Sequence, residues 1–294
     1  MEKVFKSGFV SLVGRPNVGK STILNKIIGK KVSIVTPKSQ TTRDEIIGIY
    51  NDEEAQIVFY DTPGIHKPHN ELGEILDKRA YRTIRNSEIA LFVVDSSKPF
   101  GEGDQYLFDH LKFDCKVIVV FNKIDLTNIE LVSKLKEIYA KQFPDSRMIE
   151  VSAVEPFNID GLIKLLKEEL DEGPQYYDLN QITDKDLKFQ VQEIVREKLL
   201  LNLKEEVPHG TCVICSDIDL EKKDIIIYAK IIVERDSQKG IVIGKGAKMI
   251  KRIGIQARKD VERLIGRHID LELTVQVEPH WRDSNKFLSK IGYK

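Results

Sequence analysis

Residues 9–22 read Phe9-Val10-Ser11-Leu12-Val13-Gly14-Arg15-Pro16-Asn17-Val18-Gly19-Lys20-Ser21-Thr22. A short apolar run ends in a loop of the form G-x-x-x-x-G-K-S, and residues 21–28 continue with helical spacing. Strand, loop and helix in that order are the setting in which such a loop binds phosphate. Its glycines let the backbone wrap an anion and aim N–H groups, together with a helix N-terminus, at the charge. This stretch decides the fold class of the first part of the chain: an α/β domain that holds phosphate at the carboxyl end of a buried strand.

Further apolar runs follow, each ending in polar residues. Residues 57–60 lead to Asp61, 89–94 to Asp95, 117–121 to Asn122, and 148–151 to Ser152-Ala153. Helical patterns lie between most of them. Continuous apolar strands alternating with helices indicate a mixed, mostly parallel sheet covered on both faces. Ligands of such sheets sit at the carboxyl ends of the strands, and the motifs fall there.

Two of these ends carry motifs in a fixed order after the phosphate loop: Asp61-Thr62-Pro63-Gly64 and Asn122-Lys123-Ile124-Asp125. Asp-x-x-Gly alone is too common to mean anything; order and context give it weight. Lys20 is expected to reach the β- and γ-phosphates, Ser21 to ligate Mg2+, and Asp61 to hold the metal through a water. Gly64 lets its N–H approach the γ-phosphate. The expected phosphate-binding set is Gly14, Arg15, Pro16, Asn17, Val18, Gly19, Lys20, Ser21, Thr22, Asp61, Thr62, Pro63 and Gly64. Asp125 can accept two hydrogen bonds from guanine N1–H and the 2-amino group, a donor pattern adenine lacks. Leaving that carboxylate unpaired disfavours the wrong base. Asn122, Lys123 and the backbone of Ser152 and Ala153 complete the expected guanine set. In the intervening stretch Ser39-Gln40-Thr41-Thr42-Arg43-Asp44, a threonine can close the metal shell when the γ-phosphate is present. Thr42 is the first choice and Thr41 the second. Lys20, Thr42 and Gly64 are the expected catalytic residues, and hydrolysis of GTP to GDP and phosphate is the expected reaction. Segments near 33–44 and 62–73 should order with GTP and loosen with GDP.

Ile65 stands where many small GTPases carry a glutamine that orients the attacking water. Isoleucine cannot hydrogen-bond a water, so unassisted hydrolysis should be slow, on the order of 10⁻⁴ to 10⁻³ s⁻¹. A monovalent cation at the phosphates, K+ with Asn17 as a ligand, is one way to supply the missing stabilisation. Asparagine at this loop position resembles the potassium-activated GTPases.

A chain of 294 residues suits two domains, and a hydrophobic fraction of 41% is ample for packed cores. The formal net charge is zero, so any basic surface must be local. Three cysteines without framework spacing fit a reducing cytoplasm. No signal peptide and no membrane-spanning run is legible. A GTPase domain is expected over 1–172, a linker over 173–183 and a second domain over 184–294. In the second domain, residues 187–203 read as a helix, 211–218 and 224–234 as strands, and 247–265 and 269–277 as a helix and a strand. Residues 237–243 suit a helical turn or a strand. The order α-β-β-α-α-β suggests a three-stranded sheet covered by helices.

Residues 241–247, Ile-Val-Ile-Gly-Lys-Gly-Ala, begin like the I-G-x-x-G loop of K-homology domains, which clamps a nucleic-acid backbone. Lys248, Lys251 and Arg252 fall on one face of the following helix, with Lys245 in the loop. The expected RNA-binding set is Ile243, Gly244, Lys245, Gly246, Ala247, Lys248, Lys251 and Arg252. Alanine stands at 247 where the pattern has glycine. It costs about 1 kcal/mol if that position needs positive φ and nothing if the backbone is helical. His66 and His69 read as loop residues, a metal or catalytic role being the alternative. Cys212 and Cys215 lie on opposite faces of a strand, which disfavours chelation or redox work. Trp281 either stacks on a base beside Arg282 or packs in a core.

Taken together, the chain resembles the bacterial Era GTPase family over essentially its whole length. The resemblance is carried by residues 14–22, by Lys38-Ser-Gln-Thr-Thr-Arg43, Asp61-Thr-Pro-Gly-Ile-His66, Gln181-Ile-Thr-Asp184, Val233-Glu-Arg-Asp-Ser-Gln-Lys-Gly240, and by Trp281-Arg282-Asp283. It implies a Ras-like GTPase domain joined to a K-homology (KH) domain of the second topological type. It also implies binding near the 3′ end of 16S ribosomal RNA, a role in maturing the small (30S) ribosomal subunit, and peripheral contact with the inner face of the cell membrane. A cytoplasmic monomer is expected, switching its hold on RNA with the nucleotide. A nucleotide-indifferent RNA or membrane adaptor is the alternative reading, and a metabolic phosphotransferase a third. For the last, no acceptor motif is present.

Overall fold

The computed structural model describes residues 4–38, 41–68 and 70–293. Ser39, Gln40 and His69 of the expected loops lie outside the described residues. Two compact units emerge: the described residues of Met1–Pro68 with Leu76–Asp184, and those of His69–Ile75 with Lys185–Lys294.

The first unit is built on a six-stranded sheet: β1 (Lys6–Val13), β2 (Ile46–Asn51), β3 (Ala55–Asp61), β4 (Ile89–Asp95), β5 (Lys116–Asn122) and β6 (Arg147–Glu150). The order is β2-β3-β1-β4-β5-β6; β2 runs antiparallel to β3 and every other neighbouring pair is parallel. Register brings the motif residues level at one end: Asp61 pairs with Leu12, and Asn122 with Asp95.

Alternating side chains of the buried strands feed two cores. Val10, Leu12, Ile57, Leu91 and Val120 pack with α1 (Lys20–Ile28) and α5 (Ile159–Glu169) through Ile23, Leu24, Leu162 and Leu166. On the other face, Val13, Phe92, Val94 and Phe121 pack with Ala80 and Ile84 of α2 (Glu71–Arg85). Leu107 of α3 (Glu102–His110) and Leu135 and Tyr139 of α4 (Ile129–Gln142) join them. The sheet is therefore covered on both faces, as its continuous apolar strands require.

The sequence reading places no strand at 46–51. This edge strand follows a polar segment and is interrupted by Gly48, whose absent side chain makes room for Leu24: a Cβ there would lie 2.6 Å from Leu24 Cδ1. The segment expected as a linker runs with this unit. Gln56, fully buried, donates to the Tyr177 carbonyl at 2.8 Å and accepts from the N–H groups of Tyr176 and Tyr177 at 2.6 and 2.9 Å. The Ile49 N–H donates to the Ile182 carbonyl at 3.0 Å.

In the second unit α6 (Leu187–Asn202) starts at Asp186, whose carboxylate accepts the Phe189 N–H at 2.7 Å, a side-chain cap. Strands β7 (Cys212–Cys215), β8 (Ile225–Val233) and β9 (Ile269–Val277) form a sheet in that order, with β7–β8 antiparallel and β8–β9 parallel. The parallel pair is joined through α7 (Asp236–Ile243) and α8 (Lys248–Ile265). Residues 236–243 are thus helical. Strand β7 is shorter than the sequence suggests, ending where Ser216 and Asp217 begin a polar run. Val195 and Leu199 of α6 and Ile253 and Ala257 of α8 pack on Val213, Ala229 and Ile231 of the sheet. Helix α9 (Asn285–Lys290) is the last helix among the described residues. Trp281 is fully buried and donates its indole N–H to the Gly210 carbonyl at 2.9 Å, so it is a core residue and not a stacking platform. Cys212 and Cys215 are both buried free thiols, and burial pushes Cys215 up to about 11. No helix among the described residues is long and apolar enough to cross a membrane.

Candidate nucleotide site and nucleic-acid interface

The loop after β1 turns back over the start of α1. Lys20 opens that helix and is almost fully buried, its ammonium donating to the carbonyls of Gly14 at 3.1 Å and Arg15 at 3.0 Å. Burial pulls its pKa down to about 8, against the opposing charge of Asp61.

Asp61, at the end of β3, is completely buried. Its Oδ2 accepts from Ser21 at 2.5 Å, Ser33 at 2.7 Å and Thr42 at 3.3 Å, and Ser21 Oγ and Thr42 Oγ1 are 3.0 Å apart. Its Oδ1 has no hydrogen-bond partner among the described residues. Burial pushes the carboxyl pKa up, opposed by the hydroxyls and by Lys20. A buried carboxylate oxygen without a partner, beside two hydroxyls, is an all-oxygen donor set that suits a small hard cation. Of the two threonines, the structure brings Thr42 to this cluster; Thr41 instead bonds Thr36 Oγ1 and the Lys38 carbonyl, both at 2.7 Å.

Ser33 is a member of the cluster that sequence reading does not reveal, because a lone serine in a loop carries no spacing signal. Asn25 of α1 fixes it, accepting from the N–H groups of Val32 and Ser33 and donating to the Ser33 carbonyl. Thr62 faces inward and donates to the Leu12 carbonyl at 2.7 Å. Its side chain therefore ties the turn to β1 and does not face a phosphate. Ile65 is 1% exposed and packs with Val13, Ala80 and Phe92. His66 Nδ1 lies 3.1 Å from the Gly64 carbonyl.

The other end of the site is assembled from the ends of β5 and β6. Asn122 is buried; its Nδ2 donates to the Val18 carbonyl at 2.8 Å and its Oδ1 accepts from the Ala153 N–H at 3.3 Å. It is a strut joining the phosphate loop to the Ser152-Ala153 loop. Lys123 adopts φ 64° and spans the Asn17 carbonyl at 2.7 Å and Asp95 at 2.6 Å. Burial alone would raise the Asp95 carboxyl, but hydrogen bonds from Lys123 and Ser97 outweigh it and hold the pKa below the ordinary range. Asp125 is exposed and accepts from the buried Ser152 hydroxyl at 2.5 Å. A carboxylate held from behind in this way presents its outer edge to paired N–H donors. Asn17, also at φ 64°, is exposed, with Nδ2 donating to the Pro37 carbonyl at 3.1 Å. The Arg15 side chain leaves the loop for Asp104, 2.5 Å away, so its expected phosphate contact is not made by the guanidinium.

In the second unit, α7 ends at Gly244 (φ 73°), a short turn follows, and Gly246 and Ala247 take φ 60° and 58° before α8 begins. Position 247 therefore does require the left-handed region, and alanine there is strained. Lys245, Lys248, Lys251 and Arg252 are exposed, while Ile253 is fully buried beneath them. Beside this turn, a groove of about 430 Å³ runs between α8 and β9, lined in part by Ala247, Ile250, Lys251, Gly254 and Arg258 together with Ile226 and Leu271. Ile226, Ile250, Gly254 and Arg258 are additions to the expected set; the last three share one face of α8 at four-residue spacing, and Ile226 joins them from β8, which pairs with β9. Lys251 and Arg258 of α8 and Asp270 and Glu272 of β9 line the groove around apolar Ile226, Ile250 and Leu271, so the net basic surface is that of the turn and first residues of α8, Lys245, Lys248, Lys251 and Arg252.

Comparison with known proteins agrees with both units. A family model described as 50S ribosome-binding GTPase matches residues 9–123, and a KH domain model matches residues 206–282. The chain is 45% identical to the GTPase Era of Leuconostoc citreum (strain KM20) over 99% of its own length and 98% of that protein. It superposes on a crystal structure of Era in complex with MgGDPNP and nucleotides 1506–1542 of 16S ribosomal RNA, with TM-score 0.93 and 36% identity over 98% of this chain and 99% of that one. A variant of Aquifex aeolicus Era bound to GDP.AlF4− gives TM-score 0.92 and 36% identity over 98% of this chain and 99% of that one. The chain belongs to the Era GTPase family: it is a GTPase with a P-loop domain of mostly parallel sheet and a C-terminal KH domain.

Proposed function

We propose that this chain is a GTP-driven switch that binds the 3′ end of 16S ribosomal RNA through its KH domain and assists assembly of the small ribosomal subunit. The observation that carries the nucleotide half is the convergence of Ser21, Thr42 and an unpartnered Asp61 oxygen beside Lys20, at the carboxyl ends of β1 and β3. In this reading residues 1–172 are the GTPase domain, 173–183 the connection and 184–294 the RNA-binding domain. The RNA half is supported by the full-length likeness to Era bound to 16S ribosomal RNA and by the exposed basic residues around Gly244–Ala247.

The phosphate chain would lie along the N–H groups of residues 14–22, with Lys20, held by the Gly14 and Arg15 carbonyls, reaching the β- and γ-phosphates. Ser21 and Thr42 would ligate magnesium, and Asp61 would hold it through a water. When bound, magnesium supplies the charge that neutralises the phosphate oxygens as the γ-phosphoryl departs. The Gly64 N–H would face the γ-phosphate. Asp125 would take the guanine N1–H and 2-amino donors, and Ala153 N–H the O6 side. Because Ile65 is buried in the core, no side chain at that position can orient the attacking water. Potassium bound beside Asn17 would supply positive charge at the phosphates in its place.

Competition against a fluorescent GTP analogue tests the reading. GTP should displace it far better than ATP, by about 10³-fold or more. Asp125→Asn should lose GTP and gain xanthosine triphosphate, whose 2-oxo group accepts where guanine donates. Equal competition by ATP and GTP would refute the guanine site.

A further inference from the structure

Arg15 stands at the crest of the phosphate loop, yet its guanidinium turns toward α3. Nη1 meets Asp104 Oδ2 at 2.5 Å. Asp104 lies buried in the first turn of α3, and both its oxygens are engaged. Oδ2 also accepts the Gly101 N–H at 3.0 Å, and Oδ1 accepts the hydroxyl of Tyr139 from α4 at 3.1 Å. Residue 103 is glycine, and a Cβ there would lie 3.0 Å from Arg15 Nε and 3.2 Å from its Cδ. The first turn of α3 is thus cut to receive the arginine stem. On its other side, the Arg15 backbone carbonyl accepts from the Lys20 ammonium at 3.0 Å. The residue that Asp104 holds by its side chain is the residue whose carbonyl orients Lys20.

We propose that Arg15 and Asp104 are positioning residues for GTP hydrolysis, holding the loop crest so that Lys20 meets the phosphates in a productive position; this rests on Lys20 being the phosphate lysine. The chain of contacts is continuous: Tyr139 hydroxyl to Asp104, Asp104 to the Arg15 guanidinium, Arg15 carbonyl to Lys20. Each end is fixed by burial, since Tyr139 is fully enclosed and Lys20 nearly so. Cutting the pair frees the crest from α3 while leaving the loop's own glycines intact. Small displacements of a positioning group are enough to slow a reaction strongly, about 10²-fold for 1 Å.

A double-mutant cycle tests this on the full chain. Arg15→Ala, Asp104→Asn and the double variant are compared with the unaltered protein for kcat and KM of GTP hydrolysis, GDP affinity and the thermal midpoint. Asparagine at 104 keeps an oxygen for the Gly101 N–H, so the cap of α3 survives, while the charge that pairs with Arg15 is removed. Each single change should lower kcat by about tenfold, and the double should be no more than about twofold worse than either single, as expected for groups acting as one unit. Tyr139→Phe should act in the same direction and less. Losses that multiply in the double variant, or a lowered midpoint with unchanged kcat and KM, would overturn the proposal and leave a structural ion pair only. Lys20→Ala, measured alongside, separates this from the underlying reading. If it leaves GTP affinity unchanged, the phosphate-site assignment itself fails. If it abolishes binding while Arg15→Ala and Asp104→Asn turn over normally, only the positioning role fails.

Discussion

Gly64 lies against Pro16 so closely that a Cβ on residue 64 would sit 2.7 Å from the Pro16 nitrogen and 2.8 Å from its Cα. The Asp61–Gly64 turn and the phosphate loop therefore meet backbone to backbone, and only glycine allows it. Gly64→Ala should push the turn off the loop. Its GTP affinity should fall by about tenfold relative to GDP affinity, equivalent to about 1.4 kcal/mol, in paired titrations of the two nucleotides. An equal loss for both would show that the turn does not read the γ-phosphate.

Ala247 makes a prediction of the opposite sign. At φ 58° the side chain is strained, so Ala247→Gly should raise the stability of the KH domain by up to about 1 kcal/mol, offset in part by the freer unfolded chain. Differential scanning calorimetry should show its transition moving up or staying level. A clear drop would mean that the left-handed turn is not the resting conformation.

Lys20 links nucleotide binding to pH. Burial holds its free-state pKa near 8, and phosphate oxygens favour the charged form, raising that pKa on binding. Binding then takes up a proton above pH 8. Affinity for GTP should be level below about pH 7.5 and weaken as pH rises toward 9, with proton uptake visible as buffer-dependent heats in calorimetry. A pH-independent affinity across that window would place Lys20 away from the phosphates.

Much of this was legible in the sequence because the informative strands are buried on both faces. Residues 89–94 and 117–121 read as uninterrupted apolar runs ending at Asp95 and at the motif residue Asn122, and register places Asp95 beside Asn122. Edge strand β2 lacks that signal, since Gly48 breaks its pattern to admit Leu24. The supports of the site were illegible for a different reason. Asp104 stands 89 residues from Arg15 and Asn122 stands 104 from Val18. No local spacing connects such pairs; only the crossover topology does. Ala247 shows the remaining limit: the loop pattern was readable, but the sign of its φ was not.

Asn17 and Ile65 together predict cation dependence. With residue 65 sealed in the core, turnover should be faster in potassium than in sodium buffer at equal ionic strength, by about tenfold or more if the cation supplies stabilisation near 1.4 kcal/mol. Asn17→Ala should erase the difference. Equal rates in both buffers for the unaltered protein would show that potassium plays no part in hydrolysis.

Nucleotide state should set RNA affinity. Binding of a fragment from the 3′ end of 16S ribosomal RNA should be measured with a non-hydrolysable GTP analogue, with GDP and without nucleotide, across a salt series. Binding should be tightest with the GTP analogue, and in each state affinity should fall steeply with salt, less steeply when Lys248 and Lys251 are changed to alanine. Equal affinity in all three nucleotide states would contradict it.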